Sequence, residues 1–390
     1  MNRILALLTF VFVLTGCNTN AGWTPDPNEP RAFVTTLGAD TVAVEVYTRS
    51  GDSIEGILVD RLPYTHIVEY AASLDADGNV TNLQFTLRTP EANPAGPAGS
   101  SARISIVDGQ GTVIRVGGEN PDTVMVDVPA GTLPTLGRAD VAMFEFEQVA
   151  NMLREGASQI MLLGANGSAP RINESKVVSA DTVSMDYYGY VRLGWTDESG
   201  QLLGVSGAAT TNKSESRRVE PFVVGEMAER WAAMDASGNG IGVPSPGAVV
   251  AITLDSANLE VKYSQPAKRG REIWGQLVPE GQVWRTGANA ATHFTTSKDL
   301  SFDGQVLAAG TYTVWSVYAD GGLTLIFNSQ TGQWGTVHDS ALDLFSASMM
   351  GSDRTDSSER FVISLEDTEA GGSIIFDWDL KRFTLPFTVN

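Results

Sequence analysis

The richest chemistry in the sequence sits in one short run. Trp284-Arg285-Thr286-Gly287-Ala288-Asn289 sets a large aromatic, a guanidinium and an amide among small residues. A guanidinium fork pairs planar acceptors in bidentate fashion and stacks on aromatic faces, so the run suits a carboxylate, a sugar or a peptide edge. The candidate ligand contacts are Arg271, Trp274, Trp284, Arg285, Asn289 and Trp334. A competing reading puts Trp274 and Trp284 in a core, pairs Arg285 with Asp299 or Asp343, and gives Asn289 to a turn. Lys268-Arg269-Gly270-Arg271 is a tight basic cluster that reads either as an anion dock or as a solvated hairpin tip.

Other chemistries are poorly supplied. His66, His293 and His338 are far apart and the chain has one cysteine, Cys17, so no metal site and no cofactor is expected. Asp235-Ala236-Ser237-Gly238-Asn239-Gly240 is similar to the first half of a calcium loop. Its twelfth position is Pro246 where a bidentate Glu is needed, which favours a turn after a helix. Gly204-Val205-Ser206-Gly207-Ala208 lacks the last glycine of a nucleophile elbow, and no helix follows it. A net charge of −20 repels a phosphate backbone, so no nucleic-acid partner is expected. The acidic surface is read as one that keeps the protein soluble.

The elements that must position these residues begin after an unusual start. Met1-Asn2-Arg3 is followed by an apolar run from Ile4 to Leu14, too short to span a bilayer and shaped like a secretion signal. Leu14-Thr15-Gly16-Cys17 resembles the lipobox of bacterial lipoproteins at all four positions. That resemblance implies cleavage after residue 16, lipid on Cys17, a membrane as partner, and a lipid-anchored place in the cell envelope, with the outer membrane or periplasmic face favoured. Residues 17–32, rich in proline and polar side chains, read as a lipidated tether.

Beyond the tether the hydrophobic period is mostly two. Val42, Val44 and Val46 alternate with other residues, as do Leu83, Phe85 and Leu87, then Ala102, Ile104 and Ile106, then Val124, Val126 and Val128, then Val191, Leu193 and Trp195. Such runs predict strands with one face buried and one wet. Asp77-Gly78-Asn79, Asp108-Gly109 and Glu198-Ser199-Gly200 suit the turns between them. Val141, Phe144, Val149, Met152 and Leu153 predict one helix, with Asp140 as N-cap and Gly156 as C-cap. Phe222 to Ala236 predicts a second, and Gly238 to Gly247 reads as a linker. The expected fold is mostly β, with two β-rich domains (antiparallel sandwich or partly open barrel) and one or two short helices. The expected divisions are a signal at 1–16, the tether, a β-rich domain at 33–220, a helix and linker at 221–247, and a second β-rich domain at 248–390.

The second domain carries a further resemblance. Tyr263-Ser264-Gln265-Pro266, Lys268 to Gly275, Leu277-Val278-Pro279, Val283 to Thr292, Ser297-Lys298-Asp299, Leu307 to Tyr312, Ile326-Phe327-Asn328 and Gln333-Trp334-Gly335 form an ordered string. It resembles the uncharacterised family called domain of unknown function 2911. Glu280 stands where that family usually has an aromatic, and His293 where an aliphatic or hydroxyl residue is usual. The resemblance implies a secreted or envelope β-rich domain with no assigned activity. The functional expectation is a membrane-anchored lipoprotein that binds a small molecule, a lipid or an envelope partner. The alternatives are an envelope hydrolase acting on glycan or peptide, with Arg285 or His293 as helpers, and a passive structural lipoprotein.

Overall fold

The computed structural model describes residues 29–96, 98–117, 122–138, 141–157, 159–167, 171–173, 175–187, 190–210 and 212–390. Cys17, the signal, most of the tether and Asp140 lie outside the described residues. The fold is mostly β, as expected, built on open antiparallel sheets of 13 and 10 strands with two helices.

In the first sheet the strands from Arg31–Leu37 to Asp122–Asp127 follow one another as a meander. A second meander, from Lys176–Val177 to Ser214–Val219, joins it when Ser214–Val219 pairs antiparallel with Arg31–Leu37. Asp108 and Gly109 both have positive φ, 49° and 77°, the conformation a tight two-residue hairpin turn requires. Helix α1 (Met143–Arg154) packs on one face of this sheet, and Phe33, Tyr47, Val68, Tyr70 and Met185 join Phe144 and Val149 in one core. Helix α2 (Gly225–Ala236) covers the other face, with Ala228 and Trp231 against Val44, Val59 and Ile67. The apolar interior of the first half is thus filled by the chain's own helix.

Two alternations come out differently from the sequence reading. The segment Val42 to Tyr47 is buried on both faces, including Glu45, because a helix covers each side. The strand Tyr190–Thr196 is inverted: Val191 and Leu193 are 44% and 45% exposed while Arg192 is buried. Register is the cause. Arg192 pairs with Met185 and Gly194 with Val183, and both partners belong to the core face.

In the second sheet, the long hairpin Asp343–Thr368 and Gly371–Val389 extends the sheet beside Gly322–Asn328 and then bends at two register shifts. Its far half folds back over the strand Ala257–Ser264, where Tyr263 Oη accepts the Ile363 N–H at 2.9 Å and the Phe361 N–H reaches the Pro266 carbonyl. The layers enclose Trp284, Phe294, Phe327, Phe361 and Trp378. The two halves meet at the turn after Arg31–Leu37. Ala39 N–H donates to the Arg269 carbonyl at 2.8 Å, and Asp40 pairs with Arg269. Gly38 at φ 62° fits there only without a side chain, since a Cβ would stand 2.4 Å from the Arg269 carbonyl oxygen.

Candidate functional site

Between the halves lies a cleft of about 830 Å³, within the size range of small-molecule sites. Four of the chain's 26 lysines and arginines line it: Lys213, Arg269, Arg271 and Arg285. None of its 46 acids does, among the described residues. That bias is opposite to the composition of the chain as a whole. Lys213 comes from the first half, where Thr210 Oγ1 accepts its backbone N–H and its ammonium donates to the Ala208 carbonyl at 3.2 Å. The arginines come from the second half.

Arg271 and Arg285 are held by backbone carbonyls, whereas Arg269 is held by Asp40. Arg271 donates from Nε to the Lys268 carbonyl at 3.0 Å and from Nη2 to the Ala267 carbonyl at 2.6 Å, so the basic cluster is a folded loop rather than a solvated tip. Arg285 Nη1 donates to the Asn289 carbonyl at 3.3 Å. The loop between them is bent into shape: Thr286 and Asn289 take φ of 54° and 59°, which costs a β-branched residue about 1–2 kcal/mol. Thr286 is fully buried, its hydroxyl donates to Ser316 Oγ and its carbonyl accepts from Thr292 Oγ1. Those bonds fix the conformation and with it the direction of Arg285. Asn289 Nδ2 donates to the Ser245 carbonyl at 3.2 Å.

The cations act on one another. Burial, then the charges of Arg271 and Arg285, push the Lys213 ammonium below its ordinary range. Burial and Arg269 lower Arg271, against the opposing pull of Glu359 and Asp40. Asp40 neutralises Arg269 in part. The cleft therefore carries excess positive charge in a place partly shielded from water, a setting in which an anion is favoured.

The floor is aromatic. Trp284 is stacked on Trp378 with ring centres 5.7 Å apart, and Trp315 lines the same space. His338 lines it too, 4.8 Å from the Trp315 ring and bonded through Nε2 to Asp343 at 2.9 Å. Of the six candidate residues, Arg271, Trp284, Arg285 and Asn289 line the cleft. Trp274 sits behind the floor, edge-on to Trp284 at 6.3 Å. Trp334 is surface-exposed beside Gly335, which does line the cleft. Asp343 bonds His338 and accepts from Asn328, and Asp299 accepts the Ala309 N–H.

Lys213, Trp315, Trp378 and His338, the last weighed only as a metal ligand, were not linked to Arg285 in the sequence because only the fold brings them to the same cleft. The calcium-like run is a helix end: Gly238 N–H donates to the Asp235 carbonyl and Asn239 N–H to that of Met234, the hydrogen bonds of a Schellman cap. The Asp235 carboxylate accepts from Thr65 N and Oγ1 at 2.7 and 2.5 Å. No cluster of three or more metal-ligating side chains occurs among the described residues. Ser206 ends a strand and donates to Glu215.

A family model described as "Protein of unknown function (DUF2911)" matches residues 245–387, the C-terminal domain of the chain. No curated protein matches the chain. Among solved structures it is similar to a DUF1089 family protein from Pseudomonas aeruginosa, at 14% identity and a TM-score of 0.29, over 43% of this chain and 90% of that one. That likeness is too slight to bear on fold or activity.

Proposed function

We propose that the chain is a lipid-anchored envelope protein that binds a small anionic molecule in the cleft between its two β-rich halves. The observation that carries the reading is the convergence of Lys213 with Arg271 and Arg285, from opposite sides, on a cleft whose described lining has no acid. Guanidinium forks supply bidentate recognition of carboxylate, phosphate or sulfate, and the ammonium adds charge without directional demand. Asn289 contributes an amide. A glycosidase-like mechanism needs two carboxylates across the bond to be cut, and the described lining offers none.

The anchor rests on Leu14-Thr15-Gly16-Cys17. Each buried methylene of an attached acyl chain is worth about 0.8 kcal/mol, so several chains hold the protein at a membrane. Cys17→Ser is expected to abolish incorporation of labelled lipid and to release the protein.

The binding reading is tested by a thermal-stabilisation screen of small carboxylates, phosphates and sulfates on the chain lacking residues 1–17. Hits should lose their effect in Arg285→Ala and in Lys213→Gln. A screen without hits, or hits indifferent to both changes, sinks the reading and leaves the passive structural alternative.

A further inference from the structure

The cleft has more apolar wall than a bare anion can use. Val191, Val243 and Val283 line it and are 44%, 52% and 44% exposed. They come from three separate segments: the inverted strand of the first sheet, the stretch after α2, and the residue before Trp284. Single exposed valines scattered on a surface need no explanation, but these three, from separate segments, all line one cleft and give it an apolar wall. Leu277 and Pro266 extend it. At Val191 the apolar side chain faces outward while the adjacent Arg192 is buried, the reverse of what solvation alone favours. An inorganic anion would leave most of the roughly 830 Å³ to water lying against these side chains.

Resting on the reading of the cleft as an anion site, we infer that its ligand is an amphiphilic anion, a carboxylate or phosphate bearing an alkyl or aryl group. The anionic head pairs with Lys213, Arg271 and Arg285. The apolar part lies against Val191, Val243 and Val283 and is removed from water there. Two sources present this chemistry, the head of a membrane lipid and a free amphiphile.

The test is calorimetry on the chain beginning at residue 18, which keeps every described residue. Inorganic phosphate is compared with butyl, hexyl and octyl phosphate, and acetate with the matching alkyl carboxylates, all below their micellar concentrations. Affinity should climb about two- to fourfold per methylene, the upper figure corresponding to complete transfer from water. Val243→Asn and Val283→Asn should flatten the climb and leave the inorganic ion unchanged. Lys213→Gln and Arg285→Ala should weaken every member of a series alike. Equal affinity for the inorganic and octyl forms overturns the amphiphile and leaves the anion site standing. Absence of binding in both series, or binding indifferent to Lys213 and Arg285, overturns the anion site as well. Flotation with phosphatidic acid vesicles, competed by octyl phosphate, assigns the ligand to a lipid. Alkyl phosphate binding without flotation assigns it to a free amphiphile.

Discussion

A Cβ on residue 335 would stand 2.5 Å from Arg285 Cδ and 2.5 Å from the Asn289 carbonyl oxygen. Gly335 also donates its N–H to that carbonyl at 3.0 Å, so it both leaves room for the arginine and holds the loop beside it. Gly335→Ala should displace the Arg285 stem and weaken sulfate binding about tenfold, the loss of one charge-assisted hydrogen bond. A calorimetric titration checks this, and unchanged affinity would show that Arg285 has latitude. Lys213 offers a test by pH. Its ammonium is held below the ordinary range by burial and by Arg271 and Arg285, so it loses its charge earlier than a surface lysine as pH rises. Affinity for sulfate, whose own charge is constant there, should fall across that range. Lys213→Arg should keep it level, since guanidinium stays protonated. Parallel profiles for the two proteins would place the ammonium outside the binding event. At this scale the sequence disclosed four of the cleft residues through their types and close spacing. Lys213 has no such neighbour, and nothing local marks it.

Helix α1 was legible as a helix, and its surroundings were not. Gly156 N–H donates to the Leu153 carbonyl and Ala157 N–H to that of Met152, so the expected glycine stop is a Schellman cap. A stripe of apolar residues suggested one buried face. Instead Glu145 and Glu147 are buried beside Phe144 and Phe146, because the helix lies within the first half of the molecule rather than on its surface. Strands supply the polar partners: Glu147 accepts from Arg31 and from Leu202 N–H, and Glu145 from Thr135 and Leu136 N–H. The start of the helix is capped from outside it. Glu45 accepts from the Met143 N–H and, at 2.6 Å, from Tyr70 Oη. Burial outweighs those bonds and pushes the Glu45 carboxyl up to about 8. Between the ordinary carboxyl range and that value the folded state holds a proton that the unfolded state has lost. Stability from this site is therefore complete below the ordinary range and is lost as pH rises toward 8. Glu45→Gln, which cannot titrate, should remove that decline, a difference on the order of a few kcal/mol by alkaline pH. Denaturant midpoints of both proteins from pH 5 to 9 measure it, and curves that stay parallel would mean Glu45 does not change charge on unfolding.

For the whole molecule, the division into two β-rich halves could be read from alternation and from the glycine- and proline-rich stretch after α2. Their mode of contact could not, since Asp40 and Arg269 are remote in sequence and nothing around Asp40 marks it as a partner for the basic cluster. Asp40 ties the halves together and at the same time cancels part of the positive charge of the cleft. Asp40→Asn should therefore act in two directions. It should loosen the junction, read as faster proteolysis within residues 238–246, and tighten sulfate binding several-fold by freeing Arg269. A loosened junction with weaker binding would mean that the alignment of the halves counts for more than the charge of Arg269.

The strand Arg31–Leu37 is the first among the described residues yet lies inside its sheet, between the strand that follows it and Ser214–Val219. A chain emerging from its N-terminus can zip the early meander one hairpin at a time, but one edge of that opening strand stays bare until Ser214–Val219 arrives. During that interval its backbone amides are open to any passing strand, including one from a neighbouring copy. Lys213 lies immediately before the strand that closes the gap. The first half thus contributes its cation to the cleft at the same moment as it seals its own sheet, so a nascent or truncated product with an exposed edge is also one whose cleft is incomplete.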